Sequence, residues 1–153
     1  MSHTSDTMCY TTEVFVVHGN KVLLKRHRKY GSIWLSVGGH IEDGEDPTET
    51  AIREVKEEVG LDIVLDEGSQ RFKTTGQEYR DIIPPVAIGR HSVSDGPEHV
   101  ILIYFARAES DKVVPEVADD EWRWVGKGEL AAMDLLPNVR AYAIAALDAL
   151  GAK

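Results

Sequence analysis

Apolar positions recur along this chain with two different periods. Between Pro47 and Val59, Ala51, Ile52, Val55 and Val59 fall on one arc of a helix of about 3.6 residues per turn. Asp46 suits the N-cap and Pro47 the first helical position. Glu49 completes a capping box, and Gly60 offers the left-handed residue that ends many helices. The same period predicts a final helix from Pro137 to Leu150, with Gly151 after its end, and a short helix over Gly128–Met133.

Strand-like runs of β-branched and aromatic residues cover Tyr10–Val17, Lys21–Lys25, Ile33–Val37, Leu61–Leu65, Ser69–Thr75 and Glu121–Val125. His18-Gly19-Asn20 turns the first run into the second, so the two predict a hairpin. Ile82–Gly89 is apolar, but Pro84-Pro85 confines it to a sheet edge or a bulge. Residues 90–98 read as a loop, and His99–Arg107 is apolar enough to be a strand buried on both faces. Trp122 and Trp124 share one face and read as core. A loose tail over residues 1–8 and one domain over 9–153 follow, with an α/β fold and a mixed sheet.

Charge narrows the choice of function. The chain carries 17 basic and 26 acidic side chains, a net charge of −9. That balance opposes a nucleic-acid binder, which needs a basic footprint. An anionic small-molecule substrate would then need cations supplied locally. Cys9 is the only cysteine, which excludes an internal disulfide and argues against a cysteine-based zinc site. The polar start, MSHTSDTMCYTT, does not read as a signal peptide, and no run reads as a membrane span. A soluble cytoplasmic protein with no membrane partner is expected.

One feature of the central helix goes against its setting. Glu54, Glu57 and Glu58 stand at i, i+3 and i+4 and share a face. Like charges so spaced cost roughly 0.2–0.5 kcal/mol per pair. A solvated acidic face is one account; a site for a hard divalent cation that prefers oxygen ligands is the other.

The wider pattern favours the second account. Gly39, Glu45, Arg53-Glu54-Val55, Glu57-Glu58 and Gly60-Leu61 match the Nudix box at each defined position. On these residues the chain resembles the Nudix hydrolase superfamily of MutT-like enzymes. Many relatives carry proline just before the paired glycines, where this chain has Val37. The resemblance implies an α/β/α sandwich with a mixed sheet. It implies hydrolysis of a nucleoside diphosphate linked to another moiety, by attack of water on phosphorus with Mg²⁺ or Mn²⁺. Glu54, Glu57, Glu58 and the Gly39 carbonyl would be the metal ligands. Arg53 would hold a box carboxylate in place, with Glu45 either its partner or an outer ligand. A homodimer is common among relatives.

The general base stays open between Glu54 and a later residue. Glu98 comes first among the later candidates, followed by Glu78, Asp119, Asp120 and Glu121. Arg26 and Arg28 lie in a basic stretch leading to Trp34, readable as a solvated loop or as a substrate contact. A single-domain size favours a small nucleotide such as a nucleoside triphosphate. The alternative is a silent nucleotide-binding sensor on the same fold.

Overall fold

The computed structural model describes residues 7–26, 33–92 and 96–152. Their strands are β1 (Met8–His18), β2 (Lys21–Arg26), β3 (Trp34–Leu35), β4 (Val37–His40), β5 (Ile63–Leu65), β6 (Ala87–His91), β7 (Glu98–Ala108) and β8 (Glu121–Val125). The helices are α1 (Pro47–Val59), α2 (Lys127–Ala132) and α3 (Pro137–Leu150). The strands form one sheet with the main order β3-β2-β1-β7-β5. β4 adds to β1, β6 to β7 and β8 to β2.

The sheet is mixed because β1 and β7 run parallel, from Met8 opposite Glu98 to Val17 opposite Arg107. β1 also pairs antiparallel with two strands in turn. Val17 and His18 meet β2, while Thr11 to Val14 meet β4. The change of partner falls between Val14 and Val17, and Glu13 stands opposite Gly38 in the β4 register.

Two apolar clusters make the sandwich. Phe15, Val17, Leu24 and Phe105 pack against Val139, Ala143, Ala146 and Leu147 of α3. Val14, Val16, Leu23 and Tyr104 pack against Ala51, Val55 and Val59 of α1. Alternation along β1 thus sends successive side chains to opposite helices.

Several predicted elements shift. Ser69–Thr75 forms no strand; its only ladder contact among the described residues is an isolated bridge from Thr75 to Arg80, and Phe72 is exposed. Its side chains lack an apolar surface to cover. The expected strand over Ile33–Val37 divides at Ser36, and the second part runs through Gly38 and Gly39 to His40. The 90–98 loop is shorter, because Arg90 and His91 extend β6 and Glu98 opens β7. Met8 is already in β1, so the predicted tail overlaps the sheet there.

Helix α1 has the predicted bounds and caps. The Asp46 carboxylate accepts from the N–H groups of Thr48 and Glu49, and the Glu49 side chain accepts from the Asp46 N–H. Gly60 follows in the left-handed region at φ 68°. Asp46→Ala is expected to destabilise the protein by about 1 kcal/mol. A denaturant midpoint unchanged from wild type would show that the box does not stabilise this helix.

Candidate active site

The acidic face of α1 lies against the glycine strand β4. An added Cβ at Gly39 would overlap Oε1 and Cδ of Glu54 and lie 2.7 Å from Oε2. An added Cβ at Gly38 would strike the backbone oxygen of Thr12 and lie 2.8 Å from the Glu13 carboxyl carbon. Two glycines therefore let strand and helix carboxylates approach where any side chain would intrude.

Arg53 braces this arrangement. Its Nε donates to Glu45 Oε2 at 2.6 Å and its Nη2 to Glu45 Oε1 at 2.9 Å, a bidentate pair. Nη1 donates to Glu54 at 3.0 Å and to Glu57 at 3.1 Å. Nη2 also reaches the His40 carbonyl at 3.2 Å. One guanidinium thus ties the loop, the glycine strand and two box carboxylates together.

Glu45 also accepts from Thr50 Oγ1 at 2.8 Å and from the Glu42 N–H. Hydrogen bonds from Arg53 lead the causes that hold its carboxyl down at about 2. A carboxyl lowered in the folded state stabilises the fold above its unfolded value, and that contribution is lost as pH falls. Glu45→Gln should therefore melt below wild type at neutral pH, with the gap closing as pH falls from 4.5 toward about 2. A gap independent of pH would show that shape, not charge, sets the effect.

Other acids of the cluster are pushed the opposite way. Burial chiefly raises Glu58 to about 7, with Glu54, Glu13 and Glu116 adding repulsion and Lys25 opposing it. Burial also raises Glu54, against the pull of Arg53. Glu13 rises to about 7 through burial, although Ser36 Oγ donates to it at 2.5 Å. Lys25 is itself buried and ion-paired with Asp120 at 2.9 Å, its ammonium 5.2 Å from the Trp122 ring centroid. The cluster is thus rich in negative charge that its own cations only partly offset.

Glu13, Glu116 and Lys25 escaped the sequence reading. Glu13 sits in a β-branched run that reads as ordinary strand. Glu116 reaches the site because its N–H donates to the Glu58 carbonyl at 2.9 Å. Neither position carries a spacing signal; only the change of strand partner at β1 and the return of the 110s loop to α1 place them.

The predicted residues outside the box scatter. Glu98 pairs with Arg90 at 2.8 Å and accepts from Ser92, contacts that hold it below the usual carboxylate range. Its carboxylate is engaged at the β6–β7 edge. Arg26 pairs with Glu121 and lies over the Trp34 ring, 5.4 Å from its centroid. Arg28 lies outside the described residues. Asp120 is held by Lys25, while Glu78 and Asp119 are exposed.

A NUDIX domain model matches residues 10–147, which include the acidic face of α1 and all of both cores but Leu150. The chain belongs to the Nudix family. A solved NUDIX-family hydrolase from Clostridium perfringens is 30% identical, with a TM-score of 0.78 over 92% of this chain and 96% of that one. A MutT NUDIX hydrolase from Burkholderia pseudomallei shares the fold at 19% identity and a TM-score of 0.63, over 93% of this chain and 97% of that one.

Among relatives, the dihydroneopterin triphosphate diphosphatase of Escherichia coli K12 is 37% identical over 54 residues. That match spans 35% of this chain and only 36% of the relative. An RNA pyrophosphohydrolase from Roseobacter denitrificans is 28% identical over 145 residues, 89% of this chain and 87% of that protein. Among the described residues no helix is long and apolar enough to cross a membrane.

Proposed function

We propose that this Nudix protein is a divalent-cation-dependent pyrophosphohydrolase that cleaves a nucleoside diphosphate linked to another moiety. The observation that carries the reading is the carboxylate cluster of α1 packed on Gly39 and braced by Arg53. Such all-oxygen donors suit a hard cation, Mg²⁺ or Mn²⁺. Fit is supported by Glu54 and Glu58, whose carboxyls are raised chiefly by burial, so that a bound cation would favour their charged forms. Glu54, Glu57, Glu58 and the Gly39 carbonyl would hold the ion. When bound, it would neutralise phosphate charge and acidify water.

The chain's own residues supply the rest. Arg53 fixes the directions of Glu54 and Glu57, so the ligands need little reordering when substrate arrives. Glu54 is the favoured acceptor for the proton of the attacking water, because it lies closest over the glycine strand. Arg26 and Trp34 form a cationic and aromatic pair at the β2–β3 edge, suited to a base or a phosphate.

A small triphosphate is the favoured substrate class, by analogy with the triphosphate named for the Escherichia coli relative. The test is chromatography of the products from nucleoside and pterin triphosphates, ADP-ribose and dinucleoside polyphosphates: a triphosphate should give a monophosphate and pyrophosphate, and the other two should each give two phosphorylated fragments. Wild type with Mg²⁺ should turn over at least one, and Glu57→Gln should lose that activity. Tight nucleotide binding without turnover would instead establish a sensor.

A further inference from the structure

The first strand, the glycine strand and the β6–β7 pair bring one thiol and three imidazoles to one end of the sheet. Cys9 and His99 are direct partners in the parallel β1–β7 ladder. His91 faces His99 across β6–β7, and His40 faces Thr11 across β1–β4. Cross-strand partners project to the same side, and so do Cys9 and Thr11, two residues apart on one strand. The thiol and three imidazoles therefore share a face.

Distances agree with the register. The ligand atoms of Cys9, His40 and His99 all lie within 4.8 Å of one another. Ring centroids are 5.7 Å apart for His40 and His99 and 6.4 Å for His91 and His99. In a tetrahedral zinc site, bonds of about 2.0–2.3 Å set the donors roughly 3.5 Å apart. The observed group needs only a small closure of side chains, one of them the exposed His40.

A second observation sets the group apart from a chance gathering. Among the described residues, the buried Nδ1 of His99 has no hydrogen-bond partner, an arrangement native proteins rarely tolerate. Cys9 and His40 also line a cavity of about 590 Å³ with Glu42, Asp43 and Gly44. Its two acids add negative charge beside the donors, and its opening leaves room for a water or another ligand.

We propose that Cys9, His40 and His99 form a binding site for a borderline divalent transition metal, with Zn²⁺ the best fit and His91 within reach as a fourth donor. Thiolate and imidazole favour such an ion over Mg²⁺, so this site and the α1 carboxylates would select different metals. A single cysteine spoke against a zinc site in the linear chain; the fold adds histidines from three other strands.

The test uses the reduced full chain in excess Mg²⁺, titrated with Co²⁺. The expected result is a thiolate-to-cobalt charge-transfer absorption that saturates at one equivalent and is bleached by Zn²⁺. Cys9→Ser should remove the band. His40→Ala and His99→Ala should each weaken Co²⁺ binding by about tenfold or more. His40 is exposed, so its variant reports on the metal even if His99→Ala folds poorly. A folded wild type without the band, a band that persists in Cys9→Ser, or full affinity in His40→Ala would overturn the proposal. None of these readouts depends on hydrolytic activity, so failure of the pyrophosphohydrolase reading would leave the result interpretable.

Discussion

Glu58→Gln is expected to lower turnover by at least about 100-fold while raising the melting temperature of the metal-free protein. The first effect should exceed the 10–100-fold typical of residues that only support a metal ligand, because Glu58 would itself hold the cation. The second follows from its surroundings. Burial resists its charge, and Glu54, Glu13 and Glu116 repel it. Lys25 is the opposing cation, and Asp120 already holds that ammonium at 2.9 Å. Glutamine keeps the shape and removes the charge, so at about pH 8 the metal-free fold loses a cost rather than a support. The checks are steady-state kinetics with Mg²⁺ and calorimetric melting in a chelator. Wild-type turnover together with a lower melting temperature would make Glu58 an ordinary surface acid.

Much of α1 is legible in the chain. Its bounds follow from local chemistry: Asp46, Pro47 and Glu49 at one end, Gly60 at the other. Its buried side follows from the period of Ala51, Val55 and Val59, whereas Ile52, placed on the same arc, is exposed. Its acidic side stood out because like charges on one helical arc run against local stability. Where a sequence violates a local rule, the conflict itself points to a site.

The remainder depends on how distant segments meet, and no period encodes that. Glu13 reaches the acids because β1 exchanges β2 for β4 along its length. Ser69–Thr75 shows the opposite failure: its strand-like residues find only the bridge to Arg80, so propensity alone was misleading. Cys9, His40, His91 and His99 span most of the chain, yet strand register lines them up. Glu98, expected just before a long strand, instead opens β7, where Arg90 and Ser92 are its partners.

Gly39→Ala is expected to reduce turnover by about 100-fold or more with little loss of stability, since a displacement near 1 Å at a reacting centre can cost that much. The added Cβ would occupy the space of the Glu54 carboxylate. That obstacle is the end of a flexible side chain, so the fold can yield by turning Glu54 away. Turning it away also breaks its bond to Arg53 Nη1 and removes the favoured proton acceptor from the glycine strand. Gly38→Ala is the informative contrast. Its Cβ would meet the Thr12 carbonyl, a backbone atom inside the β1–β4 ladder that cannot swing aside. That variant should lose stability and activity together. Melting curves and kinetics of the two variants, run side by side, separate the roles of the adjacent glycines. Equal loss of stability in both would mean that Gly39, like Gly38, serves the sheet rather than the carboxylate above it.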